Sequence, residues 1–213
     1  MFGEAALPEL VDELEKRRAR QAEGRGRVPA PPERLAALRQ ELSRRELDGF
    51  LVPLADEHQG EFIAARSQRL SWLTGFGGSA GIAIVMEEKA AIFVDGRYTL
   101  QVREQVDTAA FTPQHLVESP PEKWVQSNAQ KGGRLGFDPW LHTPAGIDRM
   151  RRACNTAGVD LVPVDANPVD AVWSDQPPPP LGPVMPYPVE FSGQGSAEKC
   201  RVVARDFKNT GAD

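Results

Sequence analysis

The sequence QRLSWLTGFGGSAG at residues 68–81, followed by IAIVM at 82–86 and AIFVDGRYTLQ at 91–101, decides the fold of this chain. Two short apolar runs, residues 82–86 and 90–94, flank the polar turn Glu87–Lys89. Such a pair of runs around a short polar turn predicts a β-hairpin. The sheet therefore contains an antiparallel pair and is not wholly parallel.

Further helix and strand patterns lie on both sides of this hairpin. After Pro31-Pro32 three leucines recur at helical spacing, Leu35, Leu38 and Leu42, which predicts a helix that ends at Asp48-Gly49. The other predicted strands lie at residues 50–52, 109–112, 135–137 and 159–164. Further helices are predicted to begin at Arg97, at the capping box Ser119–Glu122 and at Thr143. The helix from Thr143 is expected to end at Gly158 and to face inward with Ile147, Met150 and Cys154. Six short strands alternating with four or five amphipathic helices predict an α/β fold with a mixed sheet of about six strands.

Composition changes along the chain suggest a division into parts. Seven prolines between residues 177 and 188 predict a stiff spacer. We therefore expect a leader at residues 1–30, a domain at 31–173, a proline-rich linker at 174–195, and at 196–213 the first helix of a truncated second domain. Val203 and Phe207 are predicted to face inward on that helix. The chain stops at Gly211-Ala-Asp213, where a following strand is expected.

Charge and cysteine content exclude several classes of protein. The net charge of the chain is −5. Residues 1–45 carry 10 Lys and Arg against 8 Asp and Glu, a net charge of +2, so residues 46–213 have a net charge of −7. Neither nucleic acid nor an anionic membrane is favoured as a partner. The basic run at residues 16–27 is interleaved with glutamates and is interpreted as a solvated helix face or a loose leader. Two distant cysteines, no signal peptide and no 18-residue apolar run predict a cytoplasmic protein.

The motifs together resemble the amino-terminal domain of three-domain Xaa-Pro aminopeptidases (aminopeptidase P), relatives of creatinase and prolidase. The resemblance is carried by residues 68–101, by LVPLADEHQGE at 51–61, by GFDPWLHTP at 136–144 and by PVEFSG at 188–193, and it covers residues 34–205. It implies a three-layer α/β/α unit.

The resemblance also implies a function for this part of such an enzyme. In the family the metal ligands and catalytic histidines belong to a carboxy-terminal domain, which would start beyond residue 213, and there two divalent ions, usually manganese, activate water. The chain is therefore expected to carry no catalytic residue, to bind no cofactor and to be inactive alone. Its implied roles are formation of a homodimer and narrowing of the entrance for a peptide substrate with proline in second position.

The resemblance also indicates which residues of this chain would lie near the substrate. In similar enzymes the corresponding strand end of one subunit approaches the active site of its dimer partner, which singles out Arg97 and Tyr98, with Arg69, Trp72 and Phe76 behind them. A guanidinium at a strand end can hold a carboxylate through two hydrogen bonds. The alternatives are a local pair of Arg97 with Asp95 or Glu104 and a core position for the aromatic residues.

The glycine-rich segment matches two catalytic or cofactor motifs without their structural context. GGSAG at residues 77–81 fits G-x-S-x-G, but a nucleophile elbow needs a strand before it and a helix after it, and here the order of the patterns is reversed. The relaxed dinucleotide motif GFGGSA at 75–80 fails the same test. We interpret Ser79 as a turn residue, and an anion nest of the glycine N–H groups remains an alternative.

Asp56-Glu57-His58 and His142 are the remaining polar features of the sequence. Asp56-Glu57-His58 brings three ligand types together, but adjacent side chains diverge, so a loop that pairs with its neighbours or lines a subunit contact is favoured over a metal site. His142, one residue before a helix cap, is interpreted as orienting that turn.

A different class of function remains possible for the same fold. Creatinase-like front domains also occur in non-enzymatic proteins, so a stand-alone peptide- or protein-binding module is the alternative hypothesis. Coding sequence downstream of Asp213 that supplies two Asp, a His and two Glu ligands would favour the enzyme.

Overall fold

The computed structural model describes residues 30–182 and 185–211, so most of the predicted leader lies outside the described residues. The chain divides into two compact units between Pro179 and Pro180. The domain limits inferred from composition stay predictions. In the first unit the strands are β1 Gly49–Pro53, β2 Gly81–Met86, β3 Ala90–Val94, β4 Thr112–His115, β5 Arg134–Phe137 and β6 Asp160–Pro163. Its helices are α1 Pro31–Arg44, α2 Arg69–Thr74, α3 Gln101–Gln105, α4 Pro121–Asn128, α5 Pro144–Ala157 and α6 Pro168–Val172, with 3₁₀ turns at Ala65–Ser67, Gly96–Tyr98 and Pro139–Leu141.

The six strands form one mixed sheet in the order β4-β3-β2-β1-β5-β6. Strand β2 is antiparallel to both of its neighbours, with Ile84 opposite Leu51 on one side and Ala91 on the other. The remaining neighbours pair in parallel. Five strands therefore run in one direction, and their carboxyl ends lie along the same edge of the sheet.

Alternate residues of the sheet face two separate apolar layers. Phe50 and Val52 of β1 pack with α1, α2 and α6 on one face, whereas Leu51 packs with α4 and α5 on the other. This alternation follows from the two-residue period of a strand. Helices on both faces confirm the α/β/α architecture with a mixed six-stranded sheet. Full burial of a side chain such as Phe50 or Phe93 contributes about 1.5–3 kcal/mol.

Helix α1 buries the predicted stripe but ends earlier than predicted. Its three leucines, Leu35, Leu38 and Leu42, are at most 3 % exposed. The helix stops at Arg44 instead of continuing to Asp48-Gly49, because Glu46 adopts a left-handed backbone with φ 57°. That conformation turns the buried Leu47 back towards the helix, where its N–H donates to the Leu42 carbonyl at 2.9 Å.

The strand predicted at residues 109–112 lies further along the chain in the structure, where β4 spans Thr112–His115. A turn occupies the preceding residues: the side chain of Asp107 accepts a hydrogen bond from the Ala109 N–H at 2.9 Å. Its carbonyl accepts from the Phe111 N–H, also at 2.9 Å. Pro113 is tolerated in β4 because this strand lies at the edge of the sheet.

The capping box predicted at Ser119–Glu122 is wrong. Helix α4 begins at Pro121 with Pro120 as its N-cap, and no side chain caps it. The Ser119 N–H donates to the His115 carbonyl at 2.9 Å, which holds Ser119 in the preceding turn. Glu122 instead pairs with Arg149 of α5 at 3.4 Å.

Helix α5 agrees with its sequence signals. Thr143 Oγ1 accepts from the Gly146 N–H at 3.2 Å and caps the first turn. Gly158 ends the helix with a left-handed backbone, φ 69°. Ile147, Met150 and Cys154 are buried against the sheet as predicted.

In the second unit, residues 180–182 and 185–211 are described, and they include the helices α7 Val189–Ser192 and α8 Ser196–Thr210. The prediction that Val203 and Phe207 face inward on α8 is wrong for the described residues, since they are 50 % and 57 % exposed. A helix with an apolar stripe needs a second surface on which to bury it.

Candidate functional site

The carboxyl edge of the sheet carries the two foremost candidate residues. Strand β3 ends at Val94, and the chain turns through Asp95 into the 3₁₀ turn Gly96–Tyr98. Asp95 Oδ1 accepts from the Arg97 backbone N–H at 2.9 Å, which caps this turn. Arg97 and Tyr98 therefore occupy a fixed position directly after a parallel strand.

Arg97 presents an exposed guanidinium that is held by one carboxylate. Its Nη2 lies 2.7 Å from Asp95 Oδ2, and the Arg97 side chain is 66 % exposed. The hydrogen bond that the Arg97 guanidinium donates to Asp95 raises the pKa of Arg97 and lowers the pKa of Asp95. The local pair considered from sequence is thus present with Asp95. An exposed pair of this kind contributes little to folding, so its geometry matters more than its energy.

Tyr98 joins the glycine-rich segment to the Arg97 turn. Its hydroxyl lies 2.7 Å from Ser79 Oγ, and this hydrogen bond lowers the pKa of the Tyr98 phenol. The Phe76 ring meets the Tyr98 ring edge-on with centroids 5.6 Å apart, and the Arg97 guanidinium lies 5.1 Å from the Tyr98 ring. The structure therefore brings Arg97, Tyr98 and Phe76 together.

The glycine-rich segment is a helix-to-strand connection, as its sequence context indicates. It follows α2 and leads into β2, the reverse of a nucleophile elbow. Gly75 ends α2 with φ 81°, and a Cβ on Gly78 would lie 2.2 Å from the Phe76 ring. The Gly75 N–H donates to the Ser71 carbonyl at 2.8 Å, and the Gly77 N–H donates to Gln105 Oε1 at 2.9 Å. Two of the N–H groups that an anion nest would use are therefore occupied.

Arg69 and Trp72 lie in separate, buried contacts. Arg69 is 8 % exposed and binds Asp170 of α6 through Nε and Nη2, both at 2.7 Å. Its Nη1 is buried without a hydrogen-bond partner among residues 30–182 and 185–211. The Trp72 ring stacks on Trp173 at 5.2 Å, and Arg34 lies 5.1 Å from the same ring. Both residues join α2 to the segment that follows β6.

The remaining polar motifs belong to the local structure around them. Asp56 Oδ1 accepts from the backbone N–H groups of His58 and Gly60, both at 3.1 Å, so its carboxylate closes the loop. His142 lies against Phe137 with ring centroids 6.0 Å apart, and burial lowers its pKa to about 4. Within the described residues no three His, Cys, Asp or Glu side chains come together as a metal site.

Sequence reasoning missed helix α6 and the polar contacts it makes. Asn167 caps α6 by accepting from the Val169 N–H at 3.0 Å, and its amide donates to Asp138 Oδ2 at 2.9 Å. The Asn167-Pro168 pair is an N-cap followed by proline at the first helical position, which could have revealed the helix. Nothing in the local pattern could have found the Arg69–Asp170 pair, because 101 residues separate its members.

A family model gives the first comparison with known proteins. The Creatinase/Prolidase N-terminal domain model matches residues 34–172. Among curated proteins, a probable Xaa-Pro aminopeptidase P of Aspergillus niger is 38 % identical over 180 residues, which are 83 % of this chain and 29 % of that protein. The chain thus spans less than a third of the length of the first curated relatives it matches.

Solved structures show the same fold. The X-prolyl aminopeptidase of Caenorhabditis elegans, described as a cytosolic enzyme with a di-nuclear active site, superposes with a TM-score of 0.75 at 26 % identity, covering 87 % of this chain and 32 % of that one. The N-terminal domain of a cytoplasmic peptidase of Mycobacterium tuberculosis has a TM-score of 0.51 at 22 % identity, covering 66 % of this chain and 98 % of that one. In the part of the chain that the structure describes, no helix is both long enough and apolar enough to cross a membrane.

Proposed function

The chain belongs to the creatinase/prolidase N-terminal domain family, and from this premise we propose that it is the non-catalytic amino-terminal domain of a cytoplasmic Xaa-Pro aminopeptidase. The parent enzyme removes the amino-terminal residue of peptides that carry proline in second position. The domain serves formation of the homodimer and shapes the entrance to the active site. Support comes from the family match over residues 34–172 and from relatives named as Xaa-Pro aminopeptidases.

The metal ions of this proposal lie outside the chain. A pair of divalent ions, manganese in our proposal, supplies an activated water and polarises the scissile carbonyl when bound. The described residues offer no cluster of three His, Cys, Asp or Glu side chains and so do not fit a dinuclear site. We assign the ions to the catalytic part of the parent.

One observation carries the role of this domain: Arg97 stands exposed at the carboxyl edge of the sheet in a fixed orientation. Asp95 binds its guanidinium, and the Tyr98 ring lies beneath it at 5.1 Å. Phe76 and Ser79 in turn hold Tyr98. We propose that Arg97 and Tyr98 face the active site of the dimer partner and contact the peptide there. Phe76 supports them directly, and Arg69 and Trp72 stabilise α2 behind them.

Subunit mixing in the full-length parent tests whether Arg97 acts across a dimer. One subunit carries Arg97→Ala, and the other has wild-type Arg97 but a substituted metal ligand in its catalytic domain. Random exchange of equal amounts should restore about a quarter of the wild-type specific activity, because half of the dimers are mixed and each has one complete site.

Two outcomes would contradict this assignment. If the mixture shows only the summed activity of the separate variants, Arg97 does not act across the interface. If Arg97→Ala alone retains full activity, Arg97 has no role in the site. Arg103→Ala, which changes an exposed arginine on α3, is the matched control and should leave activity unchanged. Light scattering of the parent measures the dimer directly.

A further inference from the structure

A crevice opens at the point where the sheet changes its direction of winding. Strands β1 and β5 are parallel neighbours, but β1 leads to α2 on one face of the sheet and β5 leads to α5 on the other. The segments that follow their carboxyl ends therefore lead to opposite faces of the sheet. In α/β sheets, ligands bind outside the carboxyl ends of strands at such a switch point.

The structure has an open cavity of about 620 Å³ at this position, within the size range of about 300–1,000 Å³ that is usual for ligand sites. We call it the switch-point crevice and define it by Arg66, Arg69, Asp138, Trp140, Asp165 and Asp170, which are among its lining residues. These residues follow β1, β5 and β6, so three parallel strands contribute to one concave surface.

Two polar pairs give the crevice a fixed wall. Arg69 and Asp170 neutralise each other through two hydrogen bonds of 2.7 Å. Asp138 is 8 % exposed and accepts from two neutral donors, the Trp140 backbone N–H at 3.0 Å and the Asn167 amide at 2.9 Å. Because Arg69 and Asp170 neutralise each other's charge, recognition of a charged ligand depends on the other charged residues of the crevice.

Two opposite charges on the walls have no such partner. Within residues 30–182 and 185–211, neither the half-buried Arg66 guanidinium nor the exposed Asp165 carboxylate forms a hydrogen bond or an ion pair. Trp140 also lines the crevice, and this residue is 73 % exposed. As far as the described residues go, the crevice thus offers the unpaired Arg66 cation, the unpaired Asp165 anion and an exposed indole.

We propose that the switch-point crevice binds a small zwitterion, a free amino acid or a di- or tripeptide with an apolar side chain. Arg66 donates hydrogen bonds to the ligand carboxylate, Asp165 accepts from the ligand ammonium group, and the Trp140 indole covers the apolar side chain. Glu57 and Asp138 add negative charge to the lining, which disfavours phosphates and other polyanions. This site is separate from Arg97, and its occupancy does not depend on the proposed aminopeptidase activity.

Titration of the 213-residue chain, followed by NMR at the Trp140 indole N–H, tests the proposal. L-Leucine and the dipeptide Ala-Leu are the probes, and the one that binds more tightly identifies the source of the zwitterion. We expect saturable shifts with a Kd of roughly millimolar or below. N-acetylleucine lacks the ammonium group and leucinamide lacks the carboxylate. Each should therefore bind at least about tenfold more weakly than L-leucine.

Substitutions of Arg66 and Asp165 test the role of each charged side chain in binding. Arg66→Ala and Asp165→Asn should each weaken binding about tenfold or more, whereas Arg103→Ala should not change it. Asp165 is exposed, so its variant is expected to fold even if Arg66→Ala does not. The proposal is overturned if neither probe gives a saturable shift, if the blocked ligands bind as well as the zwitterions, or if Asp165→Asn binds like the wild-type chain.

Discussion

The hydroxyl of Tyr98 lies 2.7 Å from Oγ of Ser79, and this contact ties the glycine-rich segment to the turn that carries Arg97. Nineteen residues separate the two side chains. The serine of the G-x-S-x-G match therefore has a structural partner, a tyrosine hydroxyl, and its hydrogen bond supports the ring beneath Arg97.

Ser79→Ala should change kcat/KM of the full-length parent by less than about threefold, because Phe76 still holds Tyr98 when one exposed hydrogen bond is lost. Steady-state kinetics on an Xaa-Pro peptide checks this. A fall of several orders of magnitude in a folded variant would instead mark Ser79 as a nucleophile.

Arg97→Ala should lower kcat/KM of the parent by about ten- to a hundredfold, the loss expected when a hydrogen bond to a charged group of the substrate is removed. The melting temperature should stay nearly constant, since the Arg97–Asp95 pair is exposed. A loss of activity together with a large fall in melting temperature would assign Arg97 a structural role. Unchanged kinetics would remove Arg97 from the site.

Asp170→Ala should destabilise the chain by about 3 kcal/mol, because it leaves the guanidinium of Arg69 buried without its carboxylate. Urea denaturation should show a lower midpoint at constant slope. The matched control is Asp165→Ala, which changes an exposed aspartate with no ion-pair partner among the described residues and should stay within about 0.5 kcal/mol of wild type. Equal midpoints for the two variants would show that the Arg69–Asp170 pair contributes nothing net.

Stability should fall between pH 6.5 and 4 because His142 is buried in its neutral form. Burial lowers the pKa of His142 to about 4, while nearby Asp138 acts in the opposite direction. The unfolded chain, with an ordinary histidine pKa, binds a proton in this range that the folded chain does not. Lowering the pH from 7 to 5 should therefore cost about 2 kcal/mol. Denaturation midpoints of wild type and His142→Gln should diverge in their pH dependence, and parallel curves would refute the buried neutral imidazole.

The two cysteines should differ strongly in reactivity. Burial raises the pKa of the Cys154 thiol to about 11, whereas Cys200 is exposed on α8. At pH 8 only about one thousandth of Cys154 is thiolate, so Ellman's reagent should label one thiol quickly and the second only after unfolding. Cys200→Ser should abolish the fast phase. Two fast thiols in the native chain would contradict the burial of Cys154.

The sequence by itself determined the hairpin, the alternation of strands and helices, and the inward faces of α1 and α5. These features depend on contacts between residues close in the chain, which leave a period of two or 3.6 in the sequence. Leu35, Leu38 and Leu42 are buried as that period predicts. The ends of the elements were predicted less accurately. Glu46 ends α1 through its own backbone conformation, and because of the turn at Asp107 strand β4 begins later in the sequence than predicted. Neither effect has a periodic signal.

Only the tertiary structure decided how the polar residues are grouped. Arg69 and Asp170 lie 101 residues apart and meet because α2 and α6 pack on the same face of the sheet. The order of the strands places the loops after β1, β5 and β6 side by side and so creates the switch-point crevice. Local patterns specify which residues face a core, but not which strands become neighbours, because that choice depends on the joint burial of segments far apart in the chain.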